Sequence, residues 1–147
     1  MRVRQILETC IYVDDLDAAK QFYQDVLGLE FVSRHDNRHV FLRCKDQMLL
    51  IFNPAESIAD DGDLPRHGTT GPGHLAFGVP KDELDAWKSR LISIAIEIER
   101  EINWPGGGRS FYFRDPAGNS LELATPRIWG MEETDAVVKA PNEETDR

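Results

Sequence analysis

The sequence predicts an α+β fold: two tandem βαβββ modules that form a curved, partly closed mixed sheet with their helices outside. Three observations predict it. Strand-like and helix-like apolar patterns recur in the same order in both halves of the 147 residues. Local echoes accompany that order, LDAA at 16–19 against LDAW at 84–87, and closing strands that end in Pro54 and Pro126. Between the halves, SIADDGDLPRHGTTGP is rich in Gly, Pro and Asp, as a connecting segment is. The expected organisation is a first module over 1–56, a linker over 57–72, a second module over 73–130 and an acidic, flexible tail over 131–147.

The elements follow in turn. LETCIYV, residues 7–13, alternates apolar and polar positions and reads as a strand. Asp14-Asp15 caps a helix that carries Leu16, Ala19, Phe22, Tyr23, Val26 and Leu27 at helical spacing, and Gly28 stops it. LEFVSR, HVFLRC and QMLLIFNP are three strands, with a turn at Lys45-Asp46. In the second half HLAFGVP is a strand, and Leu84, Trp87, Leu91 and Ile94 mark a helix. IAIEIER, RSFYFR and SLELATP then complete the set, with a turn at DPAGN.

Composition narrows the function classes. No apolar run approaches the ~20 residues of a membrane-spanning helix, and MRVRQILETC lacks the apolar core of a secretory signal. A net charge of −9 argues against a nucleic-acid surface. Cys10 and Cys44 form no disulfide framework and read as small hydrophobes buried in strands, so a cytoplasmic setting is expected.

Strand alternation assigns faces. Leu7, Thr9, Ile11 and Val13 suit the helix side, which leaves Glu8, Cys10 and Tyr12 on the concave side, where a small-molecule site between the copies is expected. Leu75, Phe77, Phe111, Phe113, Leu121 and Leu123 face the second helix. His74, Ser110, Tyr112, Arg114, Glu122 and Ala124 then turn inward, and Met48, Leu50 and Phe52 line the matching wall of the first module. Glu8, His74 and Glu122 are ligand-type residues. One His with two carboxylates suits Mn, Fe, Co, Ni or Zn with open positions for substrate. The other reading open at this point is solvated or hydrogen-bonded strand ends without metal.

Arg109, after PGGG, is a candidate anion holder on a flexible lip, with an ordinary hairpin turn as the alternative. Arg34, His35, Arg38 and His39 read as a solvated hairpin patch. Trp104 is expected near the cavity mouth.

ETCIYVDDLDAAKQFYQDVLGLEFV, GPGHLAFGVPKDELDAW and above all SFYFRDPAGNSLELATP resemble the vicinal oxygen chelate superfamily over about residues 5–128. That superfamily holds glyoxalase I, extradiol dioxygenases, fosfomycin-resistance thiol transferases and bleomycin-resistance proteins. The resemblance implies metal ligands in the first and last strands of each module, which maps them to Glu8, His74 and Glu122. The fourth position falls on Leu50, which cannot coordinate. It therefore implies a divalent-metal-dependent, glyoxalase-like lyase or isomerase. In that reading Glu8, Glu122 and Tyr112 carry the chemistry, and Tyr12, Met48, Leu50, Phe52, Ser110, Tyr112 and Arg109 line the substrate pocket. It also implies a homodimer, with the site possible across two chains. Dioxygenase chemistry fits Glu in the first ligand place less well. A metal-free drug-binding protein of the bleomycin-resistance type, or an interaction module with a vestigial cleft, are the alternatives.

Overall fold

A computed structural model describes residues 1–59 and 62–133. The order of elements is β1 (Glu8–Tyr12), α1 (Leu16–Asp25), β2 (Glu30–His35), β3 (His39–Cys44), β4 (Gln47–Phe52), α2 (Pro54–Ala59), β5 (His74–Gly78), α3 (Leu84–Ser93), β6 (Arg100–Asn103), β7 (Arg109–Arg114) and β8 (Ser120–Ala124). A single 3-10 turn follows at Pro126–Trp129. Two four-stranded sheets result, ordered β1-β4-β3-β2 and β5-β8-β7-β6, so the βαβββ module does occur twice with the same topology. In the first sheet β1 runs parallel to β4, and the β2–β3 and β3–β4 pairs are antiparallel. Most of the acidic tail expected over 131–147 lies outside the described residues.

By its contacts the chain forms two compact units. One comprises Met1–Leu75 with Arg114–Leu121, and the other Ala76–Phe113 with the chain from Glu122 onward. In the first unit Asp15 caps α1, its carboxylate accepting from the Asp17 and Ala18 amides at 3.1 and 2.9 Å. Leu16, Ala19 and Tyr23 fall on one helical stripe and are buried with Val40, Leu42, Leu49 and Ile51 of the sheet. The helix ends where Gly28 takes φ +73°, and the Leu29 amide reaches back to the Tyr23 carbonyl at 3.0 Å. In the second unit Leu84 and Leu91 of α3 are buried, as are Phe111, Phe113 and Leu123.

Two sequence expectations need correction. IAIEIER is not the strand that follows α3. That helix runs to Ser93, Ala95 takes the left-handed φ of +61°, and the Ile96 amide returns to the Leu91 carbonyl at 2.9 Å. The Ile-x-Ile-x-Ile alternation is therefore consumed by a helix end and an extended lead-in, and pairing with β7 opens only at Glu99, whose amide meets the Tyr112 carbonyl at 2.8 Å. The segment expected to link the modules from residue 57 begins inside a helix, because α2 occupies Pro54–Ala59. Pro54 at its first position and Asn53 before it, whose side chain accepts from the Ala55 amide at 3.1 Å, start that turn.

The DPAGN turn is the polar knot of the first unit. Asp115, 4% exposed, accepts the Ala117 and Asn119 amides through one oxygen at 3.0 and 2.8 Å. Its other oxygen accepts the Tyr23 hydroxyl at 2.8 Å and the Asn119 side-chain amide at 2.9 Å. Burial first, and the facing Asp115 charge second, push the Tyr23 hydroxyl far above its ordinary range, so it stays a donor. Removing that hydroxyl leaves a buried carboxylate one donor short, which costs about 1–3 kcal/mol. Tyr23→Phe is accordingly expected to unfold at lower urea concentration than the wild type, with an unchanged denaturant slope.

Candidate functional site

Alternation along β1, β3 and β4 places Glu8, Cys10, Tyr12, His39, Phe41, Leu50 and Phe52 on the sheet face away from the buried stripe of α1. The register sets them side by side: Phe52 lies opposite both Tyr12 and His39, and Leu50 opposite both Cys10 and Phe41. These residues line a cavity of about 490 Å³ within the first unit, closed at its edges by Arg38, Leu64 and His67.

The walls are aromatic. His39 stacks on Phe41 with ring centres 4.0 Å apart, and Phe52 meets Phe41 and His67 edge to face at 5.6 and 4.5 Å. The Tyr12 hydroxyl and His67 Nδ1 are 2.7 Å apart, which ties the segment after α2 to β1. The Arg38 guanidinium carbon lies 5.3 Å from the centre of Phe52, within cation–π range. One Arg38 nitrogen is 3.0 Å from His39 Nδ1. A guanidinium only donates, so His39 Nδ1 accepts and the ring proton sits on Nε2. Burial, then the charges of Arg38 and His35, hold His39 below the usual histidine range, in accord with a neutral ring.

In the second unit a smaller polar group forms. The Trp104 indole N–H donates to Ser110 Oγ at 2.9 Å. The Tyr112 hydroxyl is hydrogen-bonded with both Ser110 and Glu122. Ser110 is fully buried and Glu122 is 5% exposed. Burial chiefly, then the bond to Glu122, raises Tyr112 above the ordinary phenol range, so Tyr112 remains a proton donor beside this carboxylate.

The structure thus brings together Glu8, Tyr12, Leu50 and Phe52 in one group, and Ser110, Tyr112 and Glu122 in another. Met48 pairs with Glu8 across the β1–β4 ladder. His74 is exposed at the head of β5, its Nδ1 3.0 Å from the Ser120 carbonyl, an arrangement that puts the ring lone pair on Nε2. Among the described residues, no three or more His, Cys, Asp or Glu side chains lie close enough together to hold one metal ion.

Three readings of the sequence change. Arg109 does not join the pocket residues: its guanidinium bonds Asp85 at 2.9 Å and Glu101 at 2.6 Å, with Lys88 also paired to Glu101. Its parity with Phe111 and Phe113 already placed it on the α3 side, where those carboxylates meet its charge. Cys10 is exposed and lines the cavity, while Cys44 is half-buried, so neither is a buried core residue. Arg38 and His39 are half-buried cavity residues rather than solvated hairpin. For His39 and Phe41 the signal was present in the strand parity of HVFLRC, since Val40 and Leu42 claim the opposite face. His67 and Leu64 come from a segment with no periodicity, and nothing local marked them.

Comparison with known proteins places these features in context. The profile described as the Glyoxalase/Bleomycin resistance protein/Dioxygenase superfamily matches residues 5–123. A lactoylglutathione lyase of Haemophilus influenzae is 31% identical over 81% of this chain and 90% of its own length. The metallothiol transferase FosB of Staphylococcus epidermidis is 27% identical over 85% of this chain and 84% of its own. The crystal structure of a lactoylglutathione lyase from Agrobacterium tumefaciens superposes with a TM-score of 0.86 and 46% identity, covering 89% of this chain and 100% of that one.

The neutral state of His39 has a measurable consequence. With a folded pKa below the unfolded value of about 6.5, this residue binds fewer protons folded than unfolded. Its contribution to stability is complete above about pH 6.5 and is lost as pH falls through the folded value. Urea denaturation at pH 7.5 and 5.5 is expected to show a smaller acid-side loss for His39→Gln than for the wild type.

Proposed function

The chain belongs to the Glyoxalase/Bleomycin resistance protein/Dioxygenase superfamily, and from that premise we propose a divalent-metal-dependent lyase or isomerase acting on a small oxygen-bearing substrate. The observation that carries this is the likeness to lactoylglutathione lyases along most of the chain, 31% identical in one and 46% in another. It is a glyoxalase-like enzyme; the reaction and its ligand set are the proposal.

Glu8, His74 and Glu122 are the proposed ligands, and their surroundings suit the task. A metal-binding imidazole is oriented by a hydrogen bond from its other nitrogen, and His74 Nδ1 has the Ser120 carbonyl at 3.0 Å. Glu122 is a carboxylate at 5% exposure, a place where charge is costly unless a cation or donors offset it. Leu50, 8% exposed, offers no donor, so the set is three and not four. A bound ion supplies Lewis-acid stabilisation of negative charge on a substrate oxygen. Tyr112 holds the orientation of Glu122 and keeps its proton. Glu8, exposed on the cavity wall, takes and returns the substrate proton. Tyr12, Phe52 and Leu50 exclude water from one side of the substrate. Glu8 and His74 are both exposed in the single chain, as donors completed by a second copy need to be, and the protein is accordingly proposed as a homodimer.

Protein purified without chelator is expected to contain stoichiometric divalent metal by elemental analysis, and to melt at a higher temperature after addition of Mn, Fe, Co, Ni or Zn. His74→Ala and Glu122→Ala should weaken binding by more than the 10–100-fold typical of second-shell changes. Dilution to a verified monomer should release the ion. Metal-free protein whose melting temperature none of these ions moves would rule the reading out.

A further inference from the structure

We infer that the cavity of the first unit binds an aromatic ring that bears a hydroxyl, the ring beside Phe41 over Leu50 and the hydroxyl at the Tyr12–His67 pair. This names a substrate class for the proposed enzyme and rests on that reading only in treating the cavity as the substrate's place.

The pair is equipped to hold a ligand oxygen. Tyr12 ends β1 and His67 comes from the aperiodic segment before β5; both line the cavity, with the Tyr12 hydroxyl 2.7 Å from His67 Nδ1. The His67 ring stands perpendicular to Phe52 at 4.5 Å and meets Tyr12 at 5.9 Å. Among the described residues neither side chain makes a further hydrogen bond, so their mutual bond leaves the Tyr12 oxygen and His67 Nε2 with capacity for another. Both side chains are half-buried, where a polar atom kept from water gains from a partner. Burial first, and Cys10 second, raise Tyr12 above the ordinary phenol range, so it keeps its proton. That proton can go to Nδ1 while the oxygen accepts from a ligand. It can equally go to the ligand while a protonated Nδ1 donates to the oxygen. A hydroxyl, which also gives and takes, matches either state; an ether matches only one.

The wall beside the pair fixes the rest of the ligand. The cavity's volume of about 490 Å³ lies within the range of sites for small organic ligands. Phe52, 4% exposed, is the hub of a ring cluster, with Phe41, His39 and His67 set edge to face around it at 5.6, 5.5 and 4.5 Å. Phe41 is half-buried, and His39 stacks on one of its faces at 4.0 Å, which leaves the rest of the ring as cavity wall. In the register Phe41, Leu50 and Cys10 form one row across the sheet. His39, Phe52 and Tyr12 form another, two residues or about 7 Å further along. A six-membered ring lying on the first row brings one substituent to the second, where the pair stands. Against Phe41 a flat ring gains the face or edge contact that ring quadrupoles favour, and a saturated ring of the same size does not. Tyr12 stands four residues along β1 from Glu8, about 13 Å, so a hydroxyl at the pair is not on an ion held by Glu8.

NMR titration of the isotope-labelled protein, treated with chelator, tests this with three probes: phenol, anisole and cyclohexanol. Phenol is expected to bind at least fivefold more tightly than either of the others, and to shift the amides of Cys10, Tyr12, Phe41 and His67. Tyr12→Phe and His67→Phe should each lower the phenol-to-anisole ratio, and the double variant should bring the two probes to within about twofold of each other. Phe41→Leu should narrow the gap between phenol and cyclohexanol. Melting temperatures near that of the wild type exclude loss of fold. If the double variant melts sharply lower, the two single variants carry the test, each still reducing the phenol-to-anisole ratio. Equal binding of the three probes, no binding of phenol, or shifts confined to residues outside the cavity overturns the inference. An unchanged phenol-to-anisole ratio in the Tyr12 and His67 variants, or an unchanged phenol-to-cyclohexanol ratio in Phe41→Leu, does so too. The same holds for selectivity that arises only when divalent metal is added, because the hydroxyl is then on the ion. Selective phenol binding by a protein that takes no metal leaves the cavity assignment standing and removes the metalloenzyme. Metal binding without phenol selectivity does the reverse.

Discussion

Asp115 accepts four hydrogen bonds at a position that water hardly reaches, and the first unit is organised around that carboxylate. Two of the bonds close its own turn, and one comes from Tyr23 on the buried face of α1. The fourth comes from Asn119, whose side-chain oxygen in turn accepts the Gly73 amide at 2.7 Å. The Asn119 side-chain amide also approaches the Tyr12 carbonyl at 3.4 Å. One acidic residue thereby connects the first helix, the end of β1, the entry to β5 and the start of β8. A buried carboxylate is tolerable only when its lone pairs are taken, so every one of these elements must be in place for the turn to be stable. That mutual dependence explains why D-P-A-G-N is the most specific part of the family resemblance. The motif is a structural fastening, and it stands just ahead of the strand that carries Glu122.

The two copies of the module have used the same positions differently. In the second copy, β8 presents Glu122 to Tyr112, and Tyr112 to Ser110, while one Glu122 oxygen is buried without a hydrogen-bond partner. In the first, β4 presents Leu50 and Phe52 at the corresponding parity, and the neighbouring strands add His39 and Phe41. A carboxylate at Leu50 would sit beside Phe41 with little to offset its desolvation. Leu50 offers no such charge, and with Phe41 and Phe52 it forms an apolar stretch of the cavity wall.

Most of the fold was legible because it rests on periodicity. HVFLRC and RSFYFR coincide with β3 and β7 residue for residue, and the start of α1 follows from a cap whose acceptor the structure shows in place. What was illegible depended on conformations that a pattern does not encode. Gly28 announces the end of α1, whereas Ala95 takes the same left-handed region without the residue type that favours it, at a cost of roughly 1–2 kcal/mol. The run of isoleucines that follows then looks like a strand begun too early. The candidate site divides along the same line. Parity identified Tyr12, Leu50, Phe52, Ser110, Tyr112 and Glu122 as facing residues, and each stands in one of the two groups described. It also excluded Arg109, had it been applied to that residue. Leu64 and His67 reach the cavity through an aperiodic segment fastened by one hydrogen bond to Tyr12, a relation across 55 residues that no local pattern announces.

The contrast between the two arginines shows how charge is assigned in this protein. Arg109 lies between Asp85 and Glu101, and those partners raise its already high pKa further. Its positive charge is spent in holding α3 against β6 and β7. Arg38 lies within cation–π range of Phe52 and bonds His39, and its charge, after burial, helps to hold that histidine neutral. The arrangement is self-consistent: a protonated His39 would add a second cation to the cavity and could no longer accept from Arg38. Because His39 stays neutral, the guanidinium keeps one orientation and the stack with Phe41 survives.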